Sequence, residues 1–330
     1  MNLRASQLPF EPADELAALC KAGGDPLRLN VLRALANDSF GVLELAQIFA
    51  IGQSGMSHHL KVLAQAGLVA TRREGNAIFY RRALPQGALH GALLEEVDGL
   101  RLPDEVRARI AAVHAQRAAA SREFFARAAD KFQAQQDLIA GLPQYRDSVL
   151  ALLDALGFAA GSTALEVGPG DGGFLPELAR RFKSVLALDN SEAMLELARQ
   201  RCTEDGLGNV ELRLADALQD EIGAADCVVV NMVLHHFAVP AEALRQLARL
   251  VNPGGSLLIT ELCSHDQSWA RTACGDLWLG FDQEELARWA DAAGLAPGES
   301  LYIGLKNGFQ IQVRHFAKPD AKQTRQTRYE

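Results

Sequence analysis

Cysteine and aromatic residues are scarce in this chain. Its 330 residues include five cysteines, Cys20, Cys202, Cys227, Cys263 and Cys274, and only 6% Phe, Trp and Tyr. An odd, scattered set of thiols lacks the paired spacing of a zinc ribbon or a disulfide framework, so they read as buried thiols and no metal is expected. Long apolar runs are missing too. None reaches the ~18 residues that suggest a membrane span, and the opening Met1 to Phe10 has no signal-peptide core. The expected location is cytoplasmic, with no membrane partner. What is plentiful is hydrophobic content, 48% of the chain. At ~100–200 residues per domain the length implies two domains. The formal charge of −8 is unevenly spread, because His58 to Arg82 carries five Lys or Arg (Lys61, Arg72, Arg73, Arg81, Arg82) against one acid, Glu74. A basic island on an acidic chain is the local signature of a nucleic-acid contact.

That island sits in a recognisable order of elements. Asp25–Leu35 predicts a helix with Pro26 in its first turn and Leu27, Val31 and Leu35 inward. Gly41–Phe49 predicts a second, buried through Val42, Leu45, Ala46 and Phe49. A third, Gln53–Ala66, buries Met56, Leu60 and Leu63, stops at Gly67 and turns Gln53, Ser54, Ser57, His58 and Lys61 outward. Two β-rich runs, Leu68–Arg73 and Ala77–Arg82, flank the turn Glu74-Gly-Asn76 and predict a hairpin. Helix, turn, helix and hairpin describe a winged helix-turn-helix over residues 1–100. Gln53 and Lys61 can bond base edges in a major groove, Ser54, Ser57 and His58 can reach bases or phosphates, and Arg72, Arg73 and Arg81 on the wing can neutralise phosphates. Ser54 to Val69 closely resembles the ArsR (SmtB/ArsR) family of bacterial repressors, and the resemblance covers about residues 13 to 85. It implies a homodimer on a double-stranded DNA operator with an inverted repeat. The chain departs from the family's metal sensors, since Gly41 to Phe49 has no Cys-x-Cys pair, and His58 and His59 point to different helix faces.

The most informative run lies further on. Ala164-Leu-Glu-Val-Gly-Pro-Gly-Asp-Gly-Gly173 reads as a strand breaking into a glycine turn and a helix, and Asp189 ends the next buried strand, Ser184–Leu188. An acid there can accept from a ribose diol. Glu166 at the strand end would repel a pyrophosphate, which argues against a dinucleotide. Asp216 follows a third strand from Val210, Asp226 to His236 supplies a fourth, and Val251 to Thr260 a turn and a fifth. These motifs, in order, resemble the class I S-adenosylmethionine (SAM) dependent methyltransferases over residues 141–317. The resemblance implies a Rossmann-like sheet, so the whole chain reads as α/β, a winged helix-turn-helix followed by a class I methyltransferase sheet. It further implies that Glu166, Gly168 and Gly170 lie along the methionine moiety, Asp189 and Asn190 at the ribose, Asp216 and Ala217 at the adenine, and Asn231 beside the sulfur.

Between the domains, residues 101–140 form an Ala-, Arg- and Gln-rich connector. It predicts one long helix or two, either pairing in a dimer or covering the ligand site. Leu301–Leu305 and Gly308–Arg314 predict an antiparallel hairpin, and residues 318–330 a disordered tail. His235, His236, Cys263, His265, Trp269 and Trp278 fall where strands should emerge around a methyl-transfer position. His235 is a candidate general base or a pocket-shaping residue. The domain order resembles the ArsR-type regulators of the methionine cycle that respond to S-adenosylhomocysteine (SAH), the SahR type. That implies a transcriptional regulator, a repressor, with SAH or SAM as effector. The alternative is an active methyltransferase fused to a DNA-binding domain.

Overall fold

The computed structural model describes residues 11–74, 77–128 and 132–320. It divides into two units, Met1–His114 and Ala115–Glu330. The wing turn at 75–76 and the tail from 321 onward, expected to be a turn and disordered respectively, lie outside the described residues.

In the first unit, α1 (Glu11–Gly23) and α2 (Pro26–Ala34) precede β1 (Phe40–Gly41), α3 (Val42–Phe49) and α4 (Gln53–Gln65). The hairpin β2 (Val69–Glu74) and β3 (Ala77–Arg82) follows, then α5 (Ala88–Asp98) and α6 (Asp104–Ala128), in which the division between units falls. Asp25 caps α2 by accepting from the Arg28 N–H at 3.0 Å, one place before Pro26, as the sequence predicts. α4 ends at Gly67 with φ +68, where the Leu68 N–H bonds the Leu63 carbonyl and the Gly67 N–H that of Ala64. A glycine is what lets the chain reverse there. Phe40, Leu45, Ile48, Met56, Leu60 and Leu63 are fully buried in one core with Val31, Leu32 and Leu68. Ile48 replaces Phe49 as the deep contact of α3, one turn from Leu45, and Phe49 sits half-buried at the rim. Three elements have no counterpart in the sequence reading: α1, α5, and the two-residue β1, which adds a third strand beside β3.

In the second unit come α7 (Phe132–Ile139), α8 (Arg146–Leu156), β4 (Thr163–Val167), α9 (Leu175–Arg181), β5 (Ser184–Asp189), α10 (Glu192–Glu204), β6 (Val210–Leu214) and β7 (Ala225–Asn231). They are followed by α11 (Pro240–Arg249), β8 (Val251–Leu262), α12 (Trp269–Ala273), α13 (Gln283–Ala292), β9 (Ala296–Gly304) and β10 (Gln310–Ala317). One seven-stranded sheet has the order β6-β5-β4-β7-β8-β10-β9. Strands β4 to β8 are parallel, and β10 lies antiparallel between β8 and β9. The chain therefore runs outward from β4 to β6 and returns to its other side at β7. This switch point opens a crevice at the carboxyl ends of β4 and β7. The fold is the expected one, a helix-turn-helix unit and a Rossmann-like methyltransferase sheet.

The described part of the connector forms two helices, α6 and α7, one of the two expected forms. Two details differ from expectation. The expected turn before the fifth strand is part of β8, and the register against β7 shifts between Ala225 and Cys227, where a Cβ on Gly255 would lie 2.7 Å from the Asp226 carbonyl. Lys318, assigned to the tail, is held by its backbone against Gly254 and Gly255 and by Nζ to the carbonyls of Ala248 and Val251.

Adjacent positions on α4 separate the core from the surface. Leu60→Ala is expected to lower stability by about 2–5 kcal/mol in urea unfolding, whereas exposed Lys61→Ala should stay within about 0.5 kcal/mol. Equal losses would contradict the assigned faces.

Candidate functional site

The two units carry separate candidate sites. On α4, Gln53, Ser54, Ser57, His58 and Lys61 are all exposed, and the neighbouring Met56, Leu60 and Leu63 are buried. The helical period thus leaves one continuous polar face. The wing arginines do not act as a set. Opposite residues in the antiparallel register are Arg72 with Phe79 and Ala70 with Arg81. Because strand side chains alternate, half-buried Arg72 and Arg81 share the face that carries buried Phe79, while Arg73 lies exposed on the other. Arg82 is bound to Asp98 at 2.5 Å.

In the second unit a pocket opens at the switch point, where open α/β sheets place their ligands. Every residue assigned to the nucleotide lines it: Glu166, Gly168, Gly170, Asp189, Asn190, Asp216, Ala217 and Asn231. Gly168 has φ +68, and a Cβ there would lie 2.7 Å from Val233. Gly172, φ +77, does not line the pocket; its missing Cβ admits α10, since one would lie 3.1 Å from the Ala198 backbone. The third glycine of the motif therefore serves helix packing.

Glu166 is 2% exposed at the end of β4. Its Oε1 accepts from Asn231 Nδ2 at 3.3 Å, and Asn231 Oδ1 accepts from the Thr260 hydroxyl at 2.7 Å. Its Oε2 is buried with no hydrogen-bond partner. Burial pushes the carboxyl up to about 8 despite the Asn231 bond. Asn231 is thus the residue that orients Glu166, which its assignment beside the sulfur did not anticipate. Asp189 accepts from the Ser191 N–H at 2.9 Å and is pushed up to about 6 by burial. Asp216 accepts from the Leu218 N–H at 2.9 Å and from Gln219 Nε2 at 3.0 Å, fixing the turn after β6.

The far wall comes from segments that showed no motif: Ser121 and Phe125 of α6, Gln136 of α7, and Leu142 and Tyr145. Residues of both connector helices thus contribute to the lining of this pocket. Met232, also in the lining, holds φ +55, a conformation that a non-glycine residue adopts at a cost and that concentrates at functional sites.

The residues expected around methyl transfer disperse. His236 lines the pocket; His235, Cys263, His265, Trp269 and Trp278 do not. Trp278 donates to the Phe237 carbonyl at 2.8 Å under the Arg117 guanidinium, and His265 packs on Phe309. His235 is buried with Nδ1 2.6 Å from Glu261 and Nε2 3.7 Å from Asp276. Burial opposes its charge, but the two carboxylates outweigh it and push His235 up to about 9. Its neighbour His236 is driven well below the usual range by burial and by His235. Glu261, a buried acid inside the apolar run Leu257 to Leu262, was the overlooked signal for this cluster.

Residues 165–259 match the family model described as a methyltransferase domain, and residues 24–72 the one described as a helix-turn-helix domain. The chain carries a helix-turn-helix domain and a methyltransferase domain. An uncharacterized 37.1 kDa protein of transposon TN4556 from Streptomyces fradiae is 37% identical over 130 residues, 38% of this chain and 37% of that protein. The ubiquinone biosynthesis O-methyltransferase of Acinetobacter baylyi is 30% identical over 116 residues, 34% of this chain and 49% of its own. The chain thus matches less than half the length of these curated relatives. Magnesium protoporphyrin IX methyltransferase from Synechocystis PCC 6803, solved with bound SAH, shares the fold with a TM-score of 0.50 at 18% identity, covering 61% of this chain and 99% of that one. Among the described residues no helix is long and apolar enough to cross a membrane.

Glu166 gives the pocket a pH signature. Its carboxyl is held up at about 8 against a usual 4.5, so the folded chain binds this proton more tightly than the unfolded one. The associated stability is complete below the usual value and is lost as pH rises through about 8, at about 1.4 kcal/mol per pH unit in between. Glu166→Gln cannot ionise and should flatten that part of the urea-unfolding pH profile. A profile identical to the parent's would refute the assignment.

Proposed function

We propose that this chain is a DNA-binding transcriptional regulator, a repressor, whose methyltransferase domain binds SAH or SAM as its effector. The observation that carries the reading is the pairing, in one chain, of an exposed polar recognition face on α4 with a pocket built around an unsatisfied buried carboxylate. The ArsR resemblance supports a cytoplasmic homodimer on an inverted-repeat operator. In this reading Gln53, Ser54, Ser57, His58 and Lys61 enter the major groove. Arg73 meets the backbone phosphates, with Arg72 and Arg81 nearer the core of the wing. The ligand's ammonium group supplies the partner that Glu166 Oε2 lacks, Asp189 and Asn190 take the ribose, and Asp216 with Ala217 flanks the adenine. A buried acceptor left unmade costs about 1–3 kcal/mol, so filling it favours the liganded state. The SahR-type domain order extends the reading to methionine-cycle genes as targets.

An active methyltransferase is the second reading, favoured by one observation. His236 lines the pocket with Nδ1 3.3 Å from the Gly275 carbonyl, leaving a neutral ring nitrogen able to take a proton from an acceptor. His235, enclosed by Glu261 and Asp276, would act only through its neighbour.

The regulator reading requires that ligand bind the DNA-competent and incompetent states unequally. Fluorescence anisotropy of labelled promoter DNA should change on titration with SAH, and at lower concentration than with SAM. If neither ligand alters DNA binding, sensing fails and the enzyme reading replaces it. Asp189→Ala should abolish the response while preserving basal DNA binding. Lys61→Ala combined with Arg73→Ala should weaken binding and reduce its salt dependence by about one log–log unit for each phosphate no longer neutralised.

A further inference from the structure

Beside the pocket lies a second, smaller cavity, lined by Phe124, Phe125, Met232, His235, His236 and Asp276 among others. Phe125, Met232 and His236 belong to both. Within it, His235, His236 and Asp276 can each bring one ligand atom to within 4.8 Å of the others. His235 and Asp276 are buried and His236 is half-buried.

Their partners fix which atoms are available. A carboxylate at Glu261 can only accept, so His235 Nδ1, 2.6 Å away, carries a hydrogen, and Nε2, 3.7 Å from Asp276 Oδ1, is the nitrogen that a metal ion would bind by displacing a proton. The Gly275 carbonyl also only accepts, so His236 Nδ1 donates and its Nε2 is left as a base. An imidazole whose remote N–H is held by a carboxylate or a backbone carbonyl is the arrangement of metal-bound histidine. The loop bearing Asp276 is fixed as well. The Leu277 and Trp278 N–H groups both bond the His235 carbonyl, and Gly275, φ +76, lies so close to the Phe124 ring that a Cβ would come within 2.4 Å of it.

From this geometry we infer that His235, His236 and Asp276 form a binding site for a first-row divalent cation, with Zn²⁺ the natural probe. Two imidazoles and one carboxylate suit such ions. Tetrahedral bonds of about 2.0–2.1 Å require ligand atoms roughly 3.4 Å apart, so the 3.7 Å separation of His235 and Asp276 needs an adjustment of only a few tenths of an ångström. Three protein ligands leave a fourth position for water or an anionic oxygen or sulfur ligand. The rival occupant is a proton, which would make His235 an imidazolium between Glu261 and Asp276. This inference replaces the expectation of no metal and stands independently of the effector reading.

The test uses the full chain without a histidine tag, stripped with chelator and titrated with Zn²⁺ against a chromogenic competitor. One equivalent per chain is expected. Asp276→Asn and His236→Ala should each lower affinity by more than about 100-fold, and Glu261→Gln by about 10–100-fold. Cys20→Ser, a change to an exposed thiol that belongs to the first unit, should leave binding unchanged. Near-UV circular dichroism of the metal-free variants establishes that they remain folded. Should a variant fail to fold, Co²⁺ absorption of the parent protein decides instead, since intense four-coordinate d–d bands require such a site. Absence of stoichiometric Zn²⁺, retention of it in both ligand variants, or a six-coordinate Co²⁺ spectrum would overturn the inference and leave the proton as occupant.

Discussion

The second unit is organised around a carboxyl group almost wholly withdrawn from solvent. Glu166 sits at the carboxyl end of the central strand β4, and the strands on either side of the crevice are arranged to tolerate it. Asn231 on β7 supplies one hydrogen bond, and Thr260 on β8 fixes the amide that donates it. Three strands are thereby tied at their ends by polar contacts, where apolar packing alone would have been more stable. Two residues later the chain must leave β4 in a left-handed conformation, because Val233 occupies the space a side chain at Gly168 would need. Met232, opposite, accepts its own positive φ. A buried acid, close backbone approach and a positive φ on a non-glycine residue are departures from local preference that a fold tolerates where a ligand repays them.

What the sequence made legible follows from how far its signals reach. The glycine turn, Asp189 and Asp216 are each tied to a strand end by short-range spacing, so their convergence could be inferred without coordinates. The opposite wall could not be. Ser121, Phe125 and Tyr145 share the pocket lining with the glycine loop across tens of residues, and nothing in their own local spacing marks them for it. The same limit explains the aromatic and histidine residues expected around methyl transfer. Cys263, His265 and Trp269 do follow the end of β8, but the loop carries them onto Phe281 and Phe309 rather than into the pocket. His235 and His236 are adjacent in sequence, yet a short 3-10 turn at Leu234–His236 directs one into the protein and the other to the pocket.

Alternation imposes a comparable correction on the first unit. A basic island of five cations reads as one patch when counted along the chain. In the hairpin it divides, since Arg72 and Arg81 face the side of buried Phe79, Arg82 is engaged by Asp98, and Arg73 remains exposed. The α4 face suffers no such division, because a helix returns every third or fourth residue to the same side. In the proposed reading, recognition by this unit therefore rests more on the helix than on the wing.

The regulator and enzyme readings share the pocket and separate at its inner end. A domain that only sensed a nucleoside would need Glu166, Asp189 and the glycine turn, and nothing beyond them. It would have no use for two histidines and two acids buried together behind Met232. Buried ionic groups of this kind are frequently outperformed in stability by apolar side chains of similar volume. In the proposed metal site an ion held by His235, His236 and Asp276 offsets that cost; whether an ion or a proton lies among them separates a pocket equipped for chemistry from one that only reports its contents.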